Sequence, residues 1–172
     1  MTTESRQREP GDVLWDGLIA GALGAVTVAL WFLILDLAKS QPLHTPSLLG
    51  QALLHGVGSA TKEVEVEPNL VAVYSGLHLG LFAVFGLATA WVIRQFKQTP
   101  ILGYLLIFFF VFFEFAFYVF ILVWAHPIAG EVATWAILAG NFLGLVVMGG
   151  YFSTRNPGLL RGRYSPEGPP EG

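Results

Sequence analysis

The chain has 172 residues, 54% of them hydrophobic and 12% charged, with a formal net charge of -3 and a mean hydropathy of +0.62. A soluble domain of this size carries about 25% charged residues, so the composition excludes an ordinary soluble globular protein; with no basic cluster it also excludes a nucleic-acid binder. There is no cysteine, which removes disulfide frameworks, thiolate metal sites and cysteine nucleophiles.

Residues 1–12 are polar and read as a disordered tail. The first apolar segment, 13–38, is far longer than the roughly 7–15 apolar residues of a secretory signal. Asp36 and Lys39 flank Ala38 and spoil a cleavage site, and Gln7 splits Arg6 from Arg8, so there is no twin-arginine signal. The segment is read as a retained transmembrane helix. Further apolar spans follow at 70–93, 100–125 and 132–152, each long enough for a hydrocarbon core that needs about 20 residues. Residues 153–172, rich in proline and glycine, read as a second disordered tail. The expected fold is all-α: a four-transmembrane-helix bundle over 13–152.

The connections differ in kind. Residues 94–99 and 126–131 are tight turns, whereas 39–69 is long. Within that loop, Thr45-Pro46-Ser47 has the look of a helix start, with Thr45 as cap and Pro46 in the first turn. Leu48, Leu49, Ala52 and Leu53 then face one way, and Ser47, Gln51 and His55 the other. About 12 residues are too few to span, so 46–57 is expected to be a short interfacial helix, or a re-entrant segment, in the first extracytoplasmic loop; folded down over the bundle it would form a lid above the polar layer. The alternation of Glu63, Glu65 and Glu67 with valines suggests an exposed extended stretch over Thr61–Asn69.

Positive charge orients the bundle. Arg6, Arg8, Arg94, Lys97, Arg155, Arg161 and Arg163 fall on one side, and only Lys39 and Lys62 on the other. Both termini are therefore expected in the cytoplasm. Trp15 and Trp91 should lie near the inner interface, Trp124 and Trp135 near the outer one. Gly17, Gly21, Ala25 and Ala29 recur at i+4 steps, as do Gly76 with Gly80 and Gly140 with Gly144. Such residues let helices approach closely in lipid. The favoured use is packing within one bundle; the alternative is that Gly17, Gly21, Ala25 and Ala29 form a face for a homo-oligomer or a partner membrane subunit.

Glu114, set among phenylalanines in the most apolar span, is the leading functional candidate, because an intramembrane carboxylate costs about 2.5 kcal/mol or more and normally has a partner or a task. The many rings around it (Phe108 to Phe120) are expected mostly to face lipid. At about 1.5 Å per residue, His78 lies about 12 Å, Asn141 about 14 Å and Glu114 about 16 Å from the outer surface. Three polar residues thus share a layer. Tyr74 and Tyr118 lie one turn outward of His78 and Glu114, and Asp36 closer to that surface. One reading of the layer is an interhelical hydrogen-bond network that sets helix register, with Glu114 protonated or paired with His78 and braced by Asn141; the leading functional expectation is a small binding or accessory protein with an intramembrane polar pocket near the outer face. Alternatives are a haem- or transition-metal-dependent redox protein using His78 and Glu114, with His44, His55 or His126 reaching in, or proton and small-solute handling through Glu114 and His78. No Ser-His-Asp order, P-loop or His-Glu-x-x-His motif supports an enzyme.

Residues 35–50 (Leu-Asp-Leu-Ala-Lys-Ser-Gln-Pro-Leu-His-Thr-Pro-Ser-Leu-Leu-Gly) and 139–151 (Ala-Gly-Asn-Phe-Leu-Gly-Leu-Val-Val-Met-Gly-Gly-Tyr) resemble segments of small, uncharacterised bacterial four-helix membrane proteins. The resemblance implies a bacterial inner-membrane location and no activity.

Overall fold

The computed structural model describes residues 10–57, 60, 65–96 and 134–155, together with Phe108, Val111, Phe112, Phe115, Tyr118, Val119 and Val123. Four helices are bounded: α1 Pro10–Ala38, α2 His44–His55, α3 Pro68–Phe96 and α4 Thr134–Arg155. Among the described residues there is no strand. α1, α3 and α4 are long and apolar enough to cross a membrane; at 12 residues α2 is not. The seven positions between Phe108 and Val123 are helical too, and all but the half-buried Tyr118 are exposed. Their spacing is that of one helix face, and three of them are phenylalanines, as lipid-facing rings require.

α1 is the hub, packed against both α3 and α4. Its Gly17 and Gly21 meet α3 with almost no space between backbones. A methyl group added at Gly17 would come 2.8 Å from the Cα of Leu87, and one added at Gly86 would strike the carbonyl of Gly17 and come 2.7 Å from the nitrogen of Gly21. An adjacent face serves α4: a methyl at Gly24 would meet Met148, one at Gly144 would meet Val28, and one at Gly140 would press into the Trp31 ring. Ala20, Ala90, Ile93, Met148 and Phe152 close the three-helix core. The expected small-residue packing thus holds for α1 and α4, and Gly17, Gly21 and Ala25 are buried inside the chain, leaving only Ala29 of that face exposed. On α3 the expectation fails. Gly76 and Gly80 are exposed, with none of the described residues within 4 Å of an added methyl, and Gly86, buried with Ala90 one turn on, makes the close approach to α1 instead.

These contacts fix directions. Gly17 lies opposite Leu87, Gly21 opposite Phe82 and Ala25 opposite His78, so α3 runs antiparallel to α1. Asp16 lies opposite Arg155 and Trp31 opposite Ala136, so α4 does too. One end of the bundle therefore holds Asp16, Trp15, Trp91, Arg94 and Arg155; the other holds Asp36, α2, Trp31 and Trp135.

α1 stops in a tight left-handed turn. Ser40 sits at φ 59°, its amide bonding the Leu37 carbonyl, while the Gln41 amide reaches back to the Asp36 carbonyl at 2.9 Å. This is the pattern of paired capping bonds that usually takes glycine at the left-handed position. Pro42 follows and cannot continue a helix. α2 starts at His44, two residues before the expected start, and ends at His55 before Gly56, at φ 87°. α3 begins at Pro68, so Pro68 and Asn69 are helical rather than part of an extended stretch. Glu65 to Glu67 are exposed coil.

Candidate functional site

The Asp36 end gathers most of the described polar residues singled out by sequence. Asp36 is 2% exposed, in the last turn of α1. One carboxylate oxygen accepts the Thr45 amide at 2.8 Å and the other accepts the Thr45 hydroxyl at 2.6 Å. Asp36 therefore caps α2 from the preceding helix, bringing an anion to the positive helix start. Thr45 is not the cap: Leu43 holds that position, at φ 63° and without a side-chain bond, and Thr45 is buried in the first turn. Sequence could not show this, because the cap comes from nine residues earlier.

α2 is wedged between α1 and α3. Thr45 holds it to Asp36, and a methyl added at Gly50 would strike the Leu70 carbonyl of α3. Leu48 and Ala52 are buried, as expected, with Val57 and the partly buried Leu49 and Ala60 beside them. Two expectations about its faces are overturned. Ser47, expected on the face opposite Leu48, is 0% exposed as Leu48 is, and Leu53, expected on the same face as Leu48, is 43% exposed, beside Leu54 at 52%. The reason is the wedge: contacts with two helices cover more than half of α2's circumference, so polar residues are enclosed along with leucines.

The enclosed polar atoms are not all satisfied. The hydroxyl of Ser47 and Nε2 of His44 are buried without a hydrogen-bond partner. An unmade bond at a buried polar group costs about 1–3 kcal/mol. Elsewhere the chain avoids this cost: Thr27 and Thr89 donate to the carbonyls four residues before them, at 2.8 and 2.9 Å. His55, at the far end of α2, is exposed.

Further along α3, Tyr74, His78 and Phe82 form a ladder one turn apart. The Tyr74 and His78 rings stack at 5.8 Å between centroids, and His78 and Phe82 lie 4.7 Å apart. Nε2 of His78 lies 3.1 Å from the Ala25 carbonyl of α1. A carbonyl only accepts, so Nε2 carries the proton. The small side chain of Ala29, one turn on, leaves the Ala25 carbonyl open to this second bond. Asn141 is half-buried on α4. Glu114 and His126 lie outside the described residues. Among the described residues, no three of His, Asp and Glu gather closely enough to hold a metal ion.

The opposite end holds a cluster that sequence reasoning passed over. Asp16, 4% exposed, accepts Nε of Arg155 at 2.8 Å and the Tyr151 hydroxyl at 3.1 Å on one oxygen. A signal existed: Asp16 is an acid one turn into an apolar span, and Arg155 is the basic residue closing the last span. If α1 and α4 are antiparallel, the two meet.

No protein-family model, no curated protein and no solved structure matches this chain. The site must be read from its own chemistry.

Proposed function

We propose that the chain is a small membrane-embedded binding protein whose polar site lies beneath α2 and continues along Tyr74 and His78. The observation that carries this reading is Ser47: a wholly buried hydroxyl without a partner, on a short helix clamped across the end of the bundle. Alanine would fill nearly the same space without the cost of an unpartnered hydroxyl. α2 is an interfacial helix in this reading, with Leu43, Leu53 and Leu54 facing the acyl chains and Lys39, Gln41 and Glu65 facing water.

The bundle has four crossings in this proposal. α3 and α4 run in the same direction, so residues 97–133 must return from the Asp16 end to the Asp36 end. A helix over 100–125 is about 39 Å long, enough for that return. Four crossings put both termini on one side, and the positive-charge bias makes it the cytoplasmic side of a bacterial inner membrane. Glu114 joins the site in this proposal. It would face the bundle interior, at the depth of His78 and Asn141, because a lipid-facing carboxylate is costly.

The haem or metal alternative draws less support, because Nε2 of His78 is committed to the Ala25 carbonyl and only Nδ1 remains for a ligand. Native mass spectrometry of the protein released from mild detergent tests the binding reading. A small molecule retained by the native protein, and lost in Ser47→Ala, is the expected result. A Soret band or stoichiometric iron or copper in the purified protein would favour the alternative instead.

A further inference from the structure

The resting position of α2 has a cost that binding alone leaves unexplained. The Ser47 hydroxyl and His44 Nε2 have no partner and no accessible surface, so nothing reaches them while α2 is seated. The chain on both sides of α2 is turned left-handed, at Ser40 (φ 59°), Leu43 (φ 63°) and Gly56 (φ 87°). For the serine and leucine this is a sterically costly conformation. Opposing these costs are the contacts of the wedge, among them Asp36 on Thr45, Gly50 on the Leu70 backbone, and the apolar cluster of Leu48, Ala52 and Val57. A helix seated at such cost, with bends at each end, is poised to lift.

We infer that α2 is a lid opening toward the bilayer, and that when lifted it offers His44 Nε2 and Ser47 Oγ to a neutral oxygen, hydroxyl or carbonyl, of an otherwise apolar molecule. The inference rests on the binding reading above. The two side chains are neighbours on one face, three residues apart, with Cβ atoms about 5–6 Å from each other, so one oxygen can bridge them. An imidazole nitrogen and a hydroxyl can each exchange a hydrogen bond with such an oxygen. The Asp36 carboxylate, one residue's reach away through Thr45, opposes an anion, and both its oxygens are already engaged, which leaves little for a cation. Leu48 and Ala52, next along the helix, supply an apolar wall for the rest of the molecule. Leu43, Leu53 and Leu54 on the outer side of α2 are exposed, which suits entry from hydrocarbon.

With no native cysteine, spin labels at Leu53→Cys and Leu30→Cys, both exposed positions, report the distance between α2 and α1 in phosphatidylcholine bilayers by pulsed electron resonance. Two distance populations are expected. Asp36→Ala, or the milder Thr45→Val, should raise the longer one, and Ser47→Ala should lower it about fivefold by removing an unpartnered hydroxyl from the seated state. Monoolein and a decyl-tailed benzoquinone carry the required oxygen on two different bodies. One or both should shift the populations in the native protein and not in Ser47→Ala with His44→Phe, and which of them does so identifies the source. A single narrow distance that neither Asp36→Ala nor Thr45→Val moves overturns the lid. Populations that respond to the latch variants but to no added molecule leave the lid and overturn the binding reading. A response to anionic phosphatidylglycerol alone overturns the neutral-oxygen ligand.

Discussion

Gly86 lets two backbones touch where any side chain would hold them apart. A methyl group there would meet the Gly17 carbonyl and the Gly21 backbone, neither of which can move without shifting α1. Gly86→Ala is therefore expected to destabilise the bundle by roughly 1–3 kcal/mol, the usual cost of overpacking. Gly76→Ala adds the same atom in open space, and should leave stability unchanged or raise it by up to about 1 kcal/mol through helix propensity. Thermal unfolding of both variants in one detergent checks the contrast; equal effects would refute the assignment of the contact. The sequence spacing identified Gly17 and Gly21 correctly and chose the wrong partner on α3. Gly76 and Gly80 have the same i+4 spacing as Gly86 and Ala90. Spacing says that a face is small; it does not say whether a neighbour covers it.

At the scale of the element, α2 depends on one carboxylate borrowed from α1. Losing a helix cap costs about 0.5–2 kcal/mol. Asp36→Ala should accordingly speed hydrogen exchange at the Thr45 amide and through the first turn of α2. Amides of α1 before Asp36 and of α3 around Gly86 should keep their native rates, because their packing does not involve the latch. Loss of protection in all helices together would mean that Asp36 holds the whole bundle. The existence of α2 was legible from Thr45-Pro46-Ser47, and its length was too. Its start and facing were not, because the cap and the wedge are tertiary: neither Asp36 nor Leu70 leaves a local mark on residues 44–55. The ladder from Tyr74 to His78 was visible as i+4 spacing, whereas the bond from His78 to Ala25 needed knowledge of which carbonyl a small residue would leave open.

For the whole molecule, direction is the informative quantity. The proposed topology predicts that cysteines replacing Glu65 and Gly168 react oppositely with an impermeant maleimide on intact cells: Glu65→Cys labelled, Gly168→Cys protected until the membrane is opened. The reverse pattern, or equal labelling, would remove the orientation. The three apolar spans of α1, α3 and α4 were plain from composition, since helix length and hydrocarbon thickness are tied by geometry, whereas the span expected over 100–125 lies largely outside the described residues. Trp15 and Trp91 at one end with Trp135 at the other also agree with the sequence reading. The Asp16 cluster was not recognised, although it fastens the two ends of the described chain. Asp16→Asn keeps an acceptor for Tyr151 and removes the charge facing Arg155. It should lower thermal stability less than Asp16→Leu, which removes both contacts.

The two buried acids of α1 also impose an order on biogenesis. Asp36 meets Thr45 nine residues after it is made, as soon as the first hairpin leaves the ribosome. Asp16 must wait 135 residues for Tyr151 and 139 for Arg155. During that interval a nascent chain carries, near its first membrane boundary, an acid without those two partners and a glycine seam that α3 only later covers. Completion of the last helix is thus the event that gives Asp16 its bonds to Tyr151 and Arg155. Chains stalled before residue 151 would lack the fastening between their earliest segment and their latest, a difference by which membrane quality control could tell unfinished copies from finished ones.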